Sequence, residues 1–154
     1  MIYMNQEIKE KLMRLAMKEA AKATKRGNPP FGAVLTDMDG NLIAKDYNTT
    51  NSKTDPTAHA QMNLIRQVTK KLKSQNLSDY CLVSNAQDCS MCFDAAIKAN
   101  IKNFIFGYAE DHTLTPKITV FEMNERCEQK ANIETGILKE ECQKQIEEAR
   151  KIVK

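Results

Sequence analysis

Two hydrophobic periods alternate along this chain, and that alternation narrows its choice of folds more than any other feature. From about Asn5 to Arg26, Ile8, Leu12, Leu15, Ala16, Glu19 and Ala23 recur at helical spacing. "RGNPP" then stops the helix, with Gly27 available as its C-cap. "FGAVLTD" and "NLIAKDY" flank "MDG" and predict two strands joined as a hairpin. A polar loop, "NTTNSKTD", leads into a second helix with Asp55 or Thr54 as its cap, Pro56 in its first turn, and Met62, Ile65 and Val68 on one face. "YCLVS" predicts a buried strand, "CSMCFDAAIKAN" the helix after it, and "KNFIFGY" another strand. Residues 110–130 show no clear period, and "TGILKEECQKQIEEARKIVK" predicts a last amphipathic helix capped by Thr135. Strands alternating with helices predict a three-layer α/β/α domain, and the opening hairpin makes its sheet mixed. We expect one domain over residues 1–154, with a helix over 5–26, a core over 31–107 and a closing helix over 135–152.

Length and composition permit this and exclude other classes. A chain of 154 residues can bury a full core. No apolar run approaches the roughly 20 residues that span a bilayer. "MIYMNQEIKE" lacks a basic start and a long apolar run, so no secretory signal is expected and the cytoplasm is the expected location. The net charge of +3 permits nucleic-acid contact without arguing for it. Its lysines and arginines gather in the first helix (among them Lys9, Lys11, Arg14, Lys18, Lys22) and near Lys70, and they read as a solvated face. Five cysteines, an odd number, argue against a disulfide framework. Cys81, Cys127 and Cys142 fall among apolar or helical positions and are expected to be buried thiols, whereas Cys89 and Cys92 share one turn.

That turn is the chemical centre of the sequence. "PTAHAQMN" places His59 at the start of one helix, and "DCSMC" places Cys89 and Cys92 at the start of another. Residues three apart on a helical turn are neighbours, and helix N-termini favour thiolate over thiol. One imidazole with two thiolates suits Zn²⁺ and leaves a fourth position for water, the pattern of a catalytic site. Two other readings stay open on spacing alone: a redox pair, or a structural zinc site. The second needs another ligand, and His112 in "EDHT" is the only other histidine.

"FGAV", "TDPTAHAQ" and "CSMC" together resemble the zinc-dependent nucleobase and nucleoside deaminases, a cytidine deaminase-like family marked by H-x-E followed by P-C-x-x-C. The resemblance runs from about Glu7 to Ala149. "PPFGAV" and "YNTTNSKTDPTAHA" are most similar to bacterial guanine deaminases, and "IETGILKEEC" to the last helix of tRNA adenosine deaminases and riboflavin-pathway deaminases. The resemblance implies a cytidine deaminase-like fold, a homodimer, and one zinc per chain on His59, Cys89, Cys92 and a water. It also implies that Asn48 contacts a purine, that Phe31 and the backbone around Ala33 line the base pocket, and that Ala60 adds backbone to it. The implied reaction is hydrolytic deamination of a purine base or nucleoside, with guanine the first candidate. A tRNA partner is a further reading, against which Glu140, Glu141, Glu147 and Glu148 weigh by balancing the basic residues of the last helix.

The pattern breaks at the proton shuttle. Gln61 stands where the family carries its glutamate general acid and base. An amide can hydrogen-bond a water but cannot accept and return a proton, and losing such a group typically costs about 10²–10⁴-fold in rate. Two thiolates also offset the charge of zinc, so its water should be less acidic than at an all-histidine site. "SNAQDC" departs as well: Gln87 replaces a second glutamate, Asp88 a proline, and Ser90 stands where proline is also common. Several coupled changes read as natural divergence rather than a single engineered inactivation. Asp88 is the only new carboxylate beside a ligand and a candidate substitute base. Impaired turnover is therefore expected, the alternative being a zinc-holding pseudoenzyme that binds a purine or a partner chain.

Overall fold

A computed structural model describes residues 2–110 and 113–153 of the chain. His112 lies outside the described residues. Helix α1 (Gln6–Lys25) begins where the Asn5 side chain accepts a hydrogen bond from the Ile8 N–H at 2.9 Å. It ends at Gly27, whose φ of +79° suits a residue without a Cβ. Strands β1 (Gly32–Asp37) and β2 (Leu42–Tyr47) form the antiparallel hairpin. The Asp37 carboxylate braces their turn, accepting from Asp39 N–H, Asn41 N–H and the Asn41 amide at 2.9 Å each.

β1 also pairs antiparallel with β3 (Tyr80–Ala86), and β3, β4 (Asn103–Tyr108) and β5 (Asn132–Thr135) run parallel. The five strands lie in the order β2-β1-β3-β4-β5, a mixed sheet as expected. Alternation along β4 sends Phe104 and Phe106 to one face and Ile105 to the other. The first face packs on α3 (Ala60–Leu72) and α4 (Ser90–Lys98) through Leu64, Val68 and Phe93. The opposite face packs on α1 and α6 (Lys139–Arg150) through Leu12, Met13, Cys142 and Ile146. Three layers result. Gly32 is required where α1 crosses β1, because a Cβ there would run into the Ala16 carbonyl and the Ala20 amide nitrogen. Among the described residues no helix is long and apolar enough to cross a membrane.

Several expectations need correction. The second helix begins at Ala60, not behind Asp55. Thr54 adopts φ +52° and Asp55 accepts from the Thr57 N–H and hydroxyl instead, so a turn precedes the helix and carries Pro56. The face it buries is formed by Ala60, Gln61, Leu64 and Val68, while Met62 and Ile65 are only partly covered. The polar loop holds a short helix, α2 (Thr50–Lys53), and the aperiodic stretch holds α5 (Val120–Glu125), capped by the Thr119 side chain. Thr135 ends β5 rather than capping α6, since Gly136 and Leu138 both take positive φ before the helix starts. Cys127 is half-buried, whereas Cys81 and Cys142 are fully buried. Lys9 is no surface charge: it is buried and paired with Glu134 of β5 at 2.7 Å.

Candidate metal centre and active site

The turn before α3 and the end of β3 deliver two helix starts to one place. His59 is the N-cap of α3 and Cys89 the N-cap of α4, and neither spends its side chain on capping. Cys92, buried, lies one turn into α4. His59 Nδ1, Cys89 Sγ and Cys92 Sγ form a triangle with all three sides at 3.5 Å. Tetrahedral ligation at about 2.0–2.1 Å to nitrogen and 2.3 Å to sulfur requires donors about 3.5–3.8 Å apart, so one zinc fits. The two sulfurs are free thiols and not a disulfide, which spans about 2.05 Å. These three are the only group of this kind among the described residues.

The electrostatics agree with the geometry. Hydrogen bonding from Cys92 and then from His59 pulls the Cys89 thiol down to about 4, against the opposing effect of burial. Cys92 moves the other way, because its proton is shared toward Cys89 and it is buried. Burial pushes the Cys81 and Cys142 thiols up to about 12, which leaves them inert. The one thiol pulled down belongs to the triangle.

The triangle borders a cavity of about 290 Å³. His59, Gln61, Cys89, Phe31, Asn48, Thr50 and Gln87 line it. Pro29, Thr113, Leu114, Thr115 and Arg150 complete its lining. Asn48 is buried, and its side-chain oxygen already accepts from the Thr50 N–H and hydroxyl at 2.9 Å each. Its amide nitrogen is the atom left for a ligand. Ala33 and Ala60 do not line the cavity; both sit in the core between the sheet and α3.

Gln61 donates its amide N–H to Ser84 Oγ of β3 at 2.9 Å, which leaves its carbonyl oxygen as an acceptor. Gln87 is tied at both ends: its amide nitrogen donates to the Ala109 carbonyl and its oxygen accepts from Val120 N–H at 3.3 Å. A glutamate could make only the second of these bonds. Asp88 has no exposed surface and does not border the cavity. Neither of its oxygens makes a well-formed hydrogen bond among the described residues. Burial first, and the charge of Cys89 second, push its carboxyl well above the usual carboxylate range, with the Gln61 amide opposing. No Asp or Glu lines the cavity among the described residues.

The structure thus brings His59, Cys89, Cys92, Gln61, Asn48 and Phe31 together and leaves Ala33, Ala60 and Asp88 outside the cavity. Sequence reasoning missed Thr50, the 113–115 segment and Arg150. Thr50 follows Asn48 closely enough to have been found as its turn partner. The others come from distant parts of the chain and carry no local signal.

Comparison with known proteins agrees with this geometry. Residues 6–108 match the cytidine and deoxycytidylate deaminase zinc-binding region. A tRNA-specific adenosine deaminase of Haemophilus influenzae is 32% identical over 145 residues, covering 91% of this chain and 82% of that protein. A solved tRNA:A34 deaminase acting in A-to-I editing at the wobble position superposes with a TM-score of 0.78 at 30% identity, over 88% of this chain and 98% of the other. A guanine deaminase from Nitrosomonas europaea superposes with a TM-score of 0.74 at 21% identity, over 95% and 84% of the two chains, a likeness of fold. The chain belongs to the cytidine and deoxycytidylate deaminase zinc-binding family.

Proposed function

We propose that this protein holds zinc on His59, Cys89 and Cys92 and binds a purine base or nucleoside beside it, guanine being the first candidate, with hydrolytic deamination suppressed by Gln61. The observation that carries this reading is a cavity that ends on a zinc-fitting triangle and has no described carboxylate in its lining. When bound, zinc supplies a Lewis acid and an acidified water. Asn48 offers its amide N–H to an acceptor on the ring, and Phe31 offers an apolar face. Gln61 accepts a hydrogen bond at the place where a proton must be moved, and it moves none. Asp88, behind the wall, is not placed to take over that task.

The test is ammonia release from guanine, adenosine and cytidine by the zinc-loaded protein and by its Gln61→Glu variant. We expect little or no turnover from the protein as it is, and a gain of about 10²-fold or more once the carboxylate is restored. A zinc-loaded variant that stays inert would leave ligand binding as the function and remove the enzymatic part of the reading.

A second reading, adenosine presented on tRNA, is favoured by the named activity of the relatives and by one surface feature. Arg26 lies over the Tyr47 ring at 5.4 Å beside Lys22 and Lys25, and Tyr47 immediately precedes the cavity residue Asn48. Gel retention of a tRNA anticodon stem-loop that weakens steeply with salt would support it. Retention that is absent at low salt would remove it.

A further inference from the structure

Two buried asparagines, from two separate loops, divide the first N–H groups of helix α2 between them. Asn48, after β2, accepts at its side-chain oxygen from the Thr50 N–H and hydroxyl at 2.9 Å each. Asn28, after α1, accepts from the Asn51 N–H at 3.0 Å and the Ser52 N–H at 2.9 Å. These are the second and third N–H groups of the helix, the ones that an N-cap side chain ordinarily takes. Thr49, the N-cap residue itself, makes no such bond; its hydroxyl accepts from the Asn63 amide at 2.9 Å instead. The Asn28 amide donates to Ser52 Oγ at 2.7 Å, and the Asn51 amide donates back to the Gly27 carbonyl at 2.7 Å. Asn28 has no exposed surface.

A helix of one turn does not sustain itself, so what fixes α2 comes from outside it. Asn28 is anchored in turn, its own N–H donating to the Ala23 carbonyl of α1 at 2.9 Å. It joins two segments that line the cavity: its own loop, with Pro29 and Phe31, and the one that carries Asn48 and Thr50. Thr50 is the link to the ligand side. Its N–H and hydroxyl occupy the Asn48 oxygen, which leaves the Asn48 amide N–H for a ligand. Were Thr50 to let go, either end of that amide could turn to the cavity.

We propose that Asn28 is a positioning residue for ligand recognition. By holding the first turn of α2 it keeps Thr50 on the Asn48 oxygen, and so keeps the Asn48 amide N–H as the end presented to a ligand. The positioning stands on these hydrogen bonds, whereas the choice of a purine rests on the function proposed above. Asn28 does not border the cavity, so replacing it changes no atom of the lining.

The experiment has two arms, both on the full chain dialysed against zinc. In the first, amide hydrogen exchange and side-chain amide signals are followed by NMR for the wild type, Asn28→Ala and Asn28→Asp. Asn28→Ala is expected to speed exchange of the Thr50 N–H about tenfold, although the acceptor of that group is Asn48, and to move the Asn48 side-chain signals. Asn28→Asp keeps one oxygen for the two N–H groups and another for the Ser52 hydroxyl, and is expected to behave like the wild type. In the second arm, zinc content and the dissociation constant for guanine are measured. Asn28→Ala is expected to keep its zinc and to bind guanine about tenfold more weakly, with the affinity restored in Asn28→Asp. Asn28→Ser, too short to reach both N–H groups, replaces the alanine variant in both arms should that variant fail to fold. Unchanged Thr50 exchange and Asn48 signals would overturn the proposal, as would guanine bound equally well by the wild type and Asn28→Ala. Zinc and guanine binding lost together would also overturn it, leaving Asn28 as a support of the fold alone. A disturbed Asn48 with guanine bound by no form would uphold the positioning and overturn the purine reading instead.

Discussion

At the scale of single residues, the site is defined by which side chains can exchange protons and which cannot. Gln87 uses both ends of its amide and is held by partners that a carboxylate would satisfy only in part, whereas Gln61 is held by the Ser84 hydroxyl, which a carboxylate could also bond by accepting from it. Cys89 is the opposite case, a sulfur held as thiolate by Cys92 and His59. Its value of about 4 lies below neutrality, so the group is ionised at every pH above that and loses its charge only as pH falls through it. In metal-stripped protein, iodoacetamide should therefore label Cys89 first at pH 6 and leave Cys81 and Cys142, pushed up to about 12, unlabelled even at pH 8. Zinc loading should protect Cys89, and peptide mass mapping reads the outcome. Uniform labelling of all three would mean that the triangle does not form.

At the scale of elements, the site depends on how tightly α1 and the sheet are drawn together. Gly32 sets that distance, with the backbone of Ala16 and Ala20 occupying the space a methyl would need. Gly32→Ala should destabilise the fold by about 3 kcal/mol, the upper end for overpacking, because backbone rather than a flexible side chain must yield. Urea denaturation measures it, and a loss under about 1 kcal/mol would show that α1 can shift freely. The same elements show what could be read in advance. The strands β1, β3 and β4 and the helix α1 carry long or sharply bounded hydrophobic patterns, and they were legible. β5 has only Asn132–Thr135 and owes its existence to pairing with β4, so no local pattern announced it. The late start of α3 was hidden for a related reason. Asp55, Pro56 and Thr57 suit a helix start or a turn equally well, and the turn prevails with Asp55 hydrogen-bonded to Thr57. The metal ligands were legible because two of them share a helical turn. The share of the lining from Thr113 and Arg150 was not, because they meet only after α6 has packed on β4.

At the scale of the whole molecule, two helix starts, a strand end and the last helix converge on one cavity, and the zinc-fitting triangle ties α3 to α4 across it. Charges distant in sequence are neutralised between other elements: Lys9 with Glu134 joins α1 to β5, and Arg14 with Glu141 joins α1 to α6 at 2.9 Å. The basic face read from the sequence is smaller than its lysine count implies, which is why the small-ligand reading precedes the nucleic-acid one. The central claim is that His59, Cys89 and Cys92 grip a single ion, and elemental analysis tests it most directly. Protein purified without added metal and dialysed against zinc should carry about one zinc per chain, falling to near zero in His59→Ala and in Cys92→Ser. Zinc absent from the wild type, or retained at one per chain in both variants, would contradict the account.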